Sequence, residues 1–192
     1  MPKSKIKFTY KDYKNLPDSE TKRYELLEGE IIMVPSPTTY HQSISGNLEH
    51  ALRDFARKHN LGFIYDAPLD VVFSEEDVAQ PDIFFISKER SQIVTKDNIQ
   101  GAPDLIIEIL SPATAERDRT YKRTLYARSG VREYWIVDPE KQSIEVMKLG
   151  EKGFETWGIY RKGEDLVSPL LEGLCLNLGE IFSLPLTLSH IH

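Results

Sequence analysis

The sequence predicts an α/β or α+β protein: one sheet with two main helices packed against it. Three observations carry that reading. Two segments, 41–58 and 112–129, place apolar residues at helical spacing. Two runs, 83–86 and 105–110, are almost unbroken apolar stretches, the pattern of strands covered on both faces, and 131–137 adds a strand with an apolar centre. Beyond residue 138, short strand-like stretches alternate with Gly150, Gly153, Gly158 and Gly163, as in a series of hairpins.

Taken in order, residues 1–22 are polar and lysine-rich and read as an N-terminal arm or loose first element, with 23–192 as a single domain. Tyr24-Glu25-Leu26-Leu27, the turn signal Glu28-Gly29-Glu30 and Ile31-Ile32-Met33-Val34 predict a hairpin that Pro35-Ser36-Pro37 stops. In 41–58, Ile44, Leu48, Ala51, Leu52 and Phe55 form one stripe, and Asn60-Leu61-Gly62 supplies the residues of a C-terminal cap. Residues 63–73 read as a strand with a bend at Asp66-Ala67-Pro68. The runs 83–86 and 105–110 follow Gln80-Pro81-Asp82 and Gly101-Ala102-Pro103, and read as adjacent central strands. The second helix begins between Pro112 and Thr114 and ends before Gly130, with Asp118, Tyr121 and Leu125 facing inward beside Lys122 and Tyr126. The next strand centres on Tyr134-Trp135-Ile136-Val137, and Asp138-Pro139-Glu140-Lys141 turns the chain into the hairpin tail.

Composition narrows the function classes. Twenty-four Lys and Arg against 30 Asp and Glu give a net charge of −6, which excludes binding of nucleic acid by bulk positive charge but not a local basic groove. The single cysteine, Cys175, excludes an internal disulfide framework and a cysteine-rich zinc site; between Leu174 and Leu176 it reads as a small buried hydrophobe. No signal peptide and no apolar run approaching the roughly 18 residues of a membrane span is visible, so a cytoplasmic protein with no membrane partner is expected. No GxGxxG, GxxxxGKS, GxSxG or HExxH occurs, which argues against a phosphate-cradling nucleotide site and the common hydrolase and metalloprotease signatures.

The informative residues are charges where the pattern calls for hydrophobes. Glu108 lies inside an apolar strand, where an unpaired carboxylate would cost several kcal/mol on the order of the whole margin of a domain. It must be neutral, paired to a cation or bound to metal. Asp82 opens the run 83–86 and also fits a turn after Pro81; Asp104, four residues before Glu108, fits the start of a strand. Lys122 stacks on Asp118 at i+4, either as an ordinary helical ion pair or as an ammonium aimed at carboxylates on the strands. His41, at the start of the first helix, is a capping residue or an outer site residue. Two carboxylates and a lysine are a familiar chemical set: carboxylates hold Mg²⁺ at about 2.1 Å, and lysine can orient water or offset charge on phosphorus.

The order helix, strand opened by Pro81-Asp82, strand with Glu108-Ile109-Leu110, helix resembles the core of the PD-(D/E)XK nucleases. More closely, Tyr24 to Glu30, Pro35-Ser36-Pro37 with His41, Pro81-Asp82, Pro103 to Pro112, Asp118 with Lys122 and Tyr126, and Gly130 to Pro139 resemble the Uma family of putative restriction endonucleases, over about residues 20–185. The resemblance implies a restriction-endonuclease-like core, a central mixed sheet flanked by two main helices with hairpin additions at both ends. It implies Mg²⁺ or Mn²⁺ as cofactor, DNA as partner and a homodimer. Asp82 and Glu108 would bind the metal with the carbonyl of Ile109, and Lys122 would act on water, because Leu110 stands where the usual motif has lysine. Glu25, His41, Asp118 and Tyr126 form an outer set, and Arg117, Arg119, Arg123 and Arg128 read first as a solvated helix face and second as candidates for phosphate contacts. The competing reading is a non-catalytic nucleic-acid- or protein-binding scaffold that keeps the nuclease fold, which the charge of −6 and Leu110 both favour.

Overall fold

The computed structural model describes residues 6–17 and 23–184. Its elements are α1 (Tyr10–Lys14), β1 (Arg23–Leu27), β2 (Glu30–Val34), α2 (Thr39–Lys58), β3 (Gly62–Asp66), β4 (Val71–Ser74), β5 (Asp77–Ala79), β6 (Ile83–Ser87), a 3₁₀ segment (Lys88–Ile93), β7 (Ile99–Gln100) and β8 (Leu105–Ile109). There follow α3 (Ala115–Arg117), a π-helical turn (Asp118–Lys122), α4 (Arg123–Ser129), β9 (Glu133–Asp138), β10 (Ser143–Gly150), β11 (Gly153–Arg161), β12 (Asp165–Val167), β13 (Cys175–Asn177) and α5 (Leu178–Ile181). The fold is mixed α+β.

The expected single sheet is corrected to two principal ones, plus the small pair β12–β13. A six-stranded sheet has the order β11-β10-β9-β8-β6-β3, and a five-stranded sheet the order β2-β1-β5-β4-β7. The division falls at the bend in 63–73: Asp66-Ala67-Pro68 ends β3 in one sheet, and β4 starts in the other. The N-terminal hairpin joins the second sheet through β5, where Leu26 faces Val78. In the six-stranded sheet β6 and β8 are antiparallel neighbours and β8 and β9 are parallel, so 83–86 and 105–110 are adjacent and central as expected.

Strand alternation sorts the core into two layers. Ile83 and Phe85 of β6, with Leu105, Ile107 and Ile109 of β8, face Ile44, Leu48, Leu52 and Ala56 of α2. Phe84, Ile86 and Ile106 face the other way, toward Leu125 and Tyr126 of α4 and toward Leu27, Val71 and Ala79 of the second sheet. Glu108 has the parity of Ile106, so the sheet delivers it to the α4 side. In the N-terminal segment, Tyr10 and Tyr13 of α1 pack on Leu26, Val72 and Val78.

Two further expectations change. Cys175 is exposed, because Leu174 and Leu176 on either side of it are both buried and strand alternation turns the residue between them outward. The predicted continuous second helix is two short α segments joined by the π-turn, closed by Gly130 at φ 89°. That widened turn keeps Asp118 and Lys122 buried on the side of Leu125 and Tyr126.

Candidate active site

Asp82 and Glu108 meet through register. Ile83 pairs with Ile107, so the next step outward sets Asp82 opposite Glu108 on the α4 side. The ladder ends there because Pro81 has no N–H to continue it. The freed Ile109 N–H donates instead to Asp82 Oδ2 at 2.8 Å. His41 Nε2 lies 3.3 Å from the same oxygen. His41 is held in the first turn of α2, where its backbone N–H donates to the cap Thr38 Oγ1 at 3.1 Å.

Lys122 is the centre of the cluster. Its ammonium lies 2.9 Å from Glu25 Oε1, 3.1 Å from Glu108 Oε1 and 3.5 Å from Asp118 Oδ1, with the lysine and all three acids buried. Both pairings expected of it, with Asp118 and with Glu108, are present, and Glu25 is nearer than either. Tyr126 donates to Glu108 Oε1 at 2.5 Å, the Gln80 N–H donates to Glu25 Oε1 at 3.0 Å, and Tyr134 fixes the turn by donating to the Asp118 carbonyl at 3.0 Å.

Glu25, Glu108 and Asp118 thus surround one lysine, and Asp82 lines the same cleft beside Glu108. Burial drives the Glu108 carboxyl well above the usual carboxylate range; Lys122 opposes this, while Asp118, Asp82 and Glu25 reinforce it. Burial likewise raises Asp118 against the pull of Lys122. Burial alone would lower Lys122, yet Glu108, Glu25 and Asp118 together hold its ammonium well above the ordinary value. The opposite outcomes have one cause: the lysine collects attraction from every acid, whereas each acid receives only a share of one positive charge. The site is short of cations.

A divalent cation is one group that would offset such a surplus of carboxylates. Among the described residues no group of three or more His, Cys, Asp or Glu side chains is arranged to hold a metal ion by itself. Mg²⁺ needs no such cage, since it is usually bound through one or two carboxylates and keeps several waters. Asp82, Glu108 and Ile109 line a cleft of about 50 Å³ together with Glu25, His41, Asp118 and Lys122. Asp118 Oδ1 is buried there without a hydrogen-bond partner. Donor type, surplus negative charge and room for water all fit the ion.

Every residue singled out for the site therefore lines this cleft, except Tyr126, which stands behind Glu108. Asp104 is elsewhere, a fully buried staple that accepts the Ser87 N–H at 2.8 Å and Arg90 at 3.2 Å. Three of the four arginines proposed for phosphate are turned to other partners: Arg119 to Asp138 at 3.2 Å, Arg123 to the Phe154 carbonyl at 2.9 Å and Arg128 to Asp77 at 2.8 Å. Sequence reasoning missed Gln80, whose N–H positions Glu25, and Arg23, at the mouth of the cleft. Gln80 directly precedes Pro81-Asp82, but its role depends on a strand pairing that no local pattern shows.

The family model for Uma2, described as putative restriction endonuclease, matches residues 10–179. The chain belongs to the Uma2 family. Among curated proteins, an uncharacterized protein of Synechocystis, sll1609, is 27% identical over 150 residues, 75% of this chain and 82% of that protein. Among solved structures, the crystal structure of a putative nuclease belonging to DUF820 from Anabaena variabilis superposes with a TM-score of 0.76 at 23% identity, covering 91% of this chain and 97% of the other. The Uma2 fold read from the motifs is thus the fold the chain has. No described helix is long and apolar enough to cross a membrane.

Proposed function

We propose that this Uma2 chain is a Mg²⁺-dependent endonuclease that hydrolyses phosphodiester bonds in DNA, with Mn²⁺ able to replace Mg²⁺. One observation carries the reading: a buried lysine ammonium 3.1 Å from Glu108, in the cleft that Asp82 also lines, although the usual motif position is Leu110. The helix supplies from the side the charge that the strand does not.

Asp82 and Glu108 would hold the ion, with the Ile109 carbonyl as third ligand. When bound, Mg²⁺ polarises a phosphoryl oxygen and lowers the pKa of its water. The chain's own residues do the rest. The Ile109 N–H and His41 hold the Asp82 carboxylate, and Tyr126 holds that of Glu108. Lys122 orients the attacking water through its ammonium protons and offsets charge gathering on the phosphoryl oxygens. Against burial, Glu108, Glu25 and Asp118 together keep Lys122 protonated. Cutting both strands calls for two copies, a homodimer.

The scaffold reading makes the opposite forecast for one assay. Plasmid and linear DNA are incubated with protein in Mg²⁺ and in EDTA, beside Asp82→Asn and Lys122→Met. Cleavage that needs the ion and falls a hundredfold or more in either variant, on the order of a lost charge-stabilising group, supports the nuclease. Wild-type protein inert on every DNA form leaves the scaffold.

A further inference from the structure

A second cleft of about 90 Å³ adjoins the first and shares Arg23, His41 and Asp82 with it. Its other wall is one side of α2, from Gln42 through Ser45 and Gly46 to Glu49, closed by Asp66 and Ala67. Two features of this cleft have no structural explanation.

The first is Arg23. It is half-buried at the start of β1, where its backbone pairs with Val34, yet among the described residues its guanidinium has neither an ion-pair nor a hydrogen-bond partner. The acids nearest in the cleft wall are already engaged, since Glu49 and Asp66 both pair with Arg53, at 2.6 and 3.2 Å.

The second is Gly46, in the middle of a 20-residue helix. Glycine there costs helix stability relative to alanine. Backbone conformation does not require it, and a Cβ at this position would meet nothing within 4 Å. A glycine that neither packing nor backbone demands, on the wall of a cleft next to the carboxylates, keeps space open for something else.

We propose that Arg23 and the space in front of Gly46 form a subsite for the phosphodiester group next to the one being cut, on the same nucleic-acid strand. Arg23 donates to its anionic oxygens, while His41 stays on Asp82 through Nε2. The subsite rests on the nuclease reading and adds what the acidic site lacks, a cation free to meet the substrate backbone. Arg23 here positions the strand and does not touch the reacting phosphorus.

The test pairs steady-state cleavage with binding of a fluorescent oligonucleotide, measured in Ca²⁺ over a range of salt, for wild type, Arg23→Ala, Arg23→Lys and Gly46→Leu. Arg23→Ala should raise KM about tenfold, the scale of one charge-assisted hydrogen bond, and leave kcat within about twofold. The slope of log Kd against log salt should fall by about 0.9 or less, one phosphate contact, and Arg23→Lys should restore the slope. Gly46→Leu should raise KM with a melting temperature no lower than wild type, because it fills the cleft without disturbing the helix. Unchanged KM and slope in both Arg23→Ala and Gly46→Leu overturn the subsite while leaving the nuclease intact. If wild type binds but does not cut, the nuclease reading falls and the salt slope of Arg23→Ala still decides the subsite. If it neither binds nor cuts, both fall.

Discussion

Lys122 sets the energetics of the site because three buried carboxylates depend on it. Lys122→Ala should cost about 3 kcal/mol or more in urea unfolding, the cost of stranding a buried charge, whereas a simple helical pair with Asp118 would be worth only tenths. Glu108 and Asp118 add a pH signature. Both acids have raised pKa values when folded, so in the metal-free protein the folded state holds more protons than the unfolded one, from the ordinary carboxylate range up to the raised values. Stability contributed here is greatest at the acid end of that window and falls as pH rises through it. Asp77 and Asp138, whose pKa values are lowered, lose their contribution only at lower pH, as it falls toward their depressed values, and stay out of the way. Urea melts in EDTA should therefore show greater stability near pH 5 than near pH 7.5, and Glu108→Gln should reduce the difference, leaving the part contributed by Glu133 and Asp66, which burial also raises. A flat wild-type profile would contradict the crowding of acids. At this scale the sequence was informative: a glutamate inside an apolar strand and a lysine at i+4 from an aspartate announce themselves. Glu25 does not, since nothing local distinguishes it from any other hairpin glutamate.

Elements with a strong period were legible, and those made by tertiary pairing were not. The helical stripe and the apolar runs around Phe84 and Ile106 each carry their own signal: Ile44, Leu48, Leu52 and both runs are buried, while Ala51 and Phe55 at the edge of the stripe are half-buried. Strand β5 has three residues and β7 two, too few for alternation to register, and both exist because neighbours offer backbone partners. The π-turn at Asp118–Lys122 escapes for a related reason: helical spacing alone cannot tell an i+4 from an i+5 hydrogen bond. Helix α2 shows how an element serves the site. Thr38 caps it by accepting from the His41 N–H, which fixes the turn that brings His41 to Asp82. Thr38→Ala should lower stability by about 1 kcal/mol at unchanged urea m-value, and Thr38→Ser should recover most of it.

Across the whole molecule, the cleft is a junction between two sheets. Glu25 comes from β1 of the five-stranded sheet and Glu108 from β8 of the six-stranded one; Gln80 and Asp82 lie on the link from β5 to β6, and Lys122 comes from the π-turn on the second helix. The resemblance to the Uma family grouped these residues in one site, but the junction that joins them could not be read, because the single sheet the sequence predicted contains none. It also means that the full set of carboxylates exists only when both sheets are docked, so an ion held there stabilises the folded state alone. At a hundred times its Kd, Mg²⁺ should add about 2.7 kcal/mol to unfolding, seen as a rise in melting temperature. A chain of net charge −6 also attracts divalent ions diffusely, so the magnitude alone decides nothing. The Asp82→Asn, Glu108→Gln double variant changes the net charge only from −6 to −6 + 2 = −4 and leaves the diffuse attraction largely in place. It should lose most of the Mg²⁺ shift. A shift equal to wild type would mean that the ion binds elsewhere and that Glu25, Glu108 and Asp118 are a structural cluster held by Lys122.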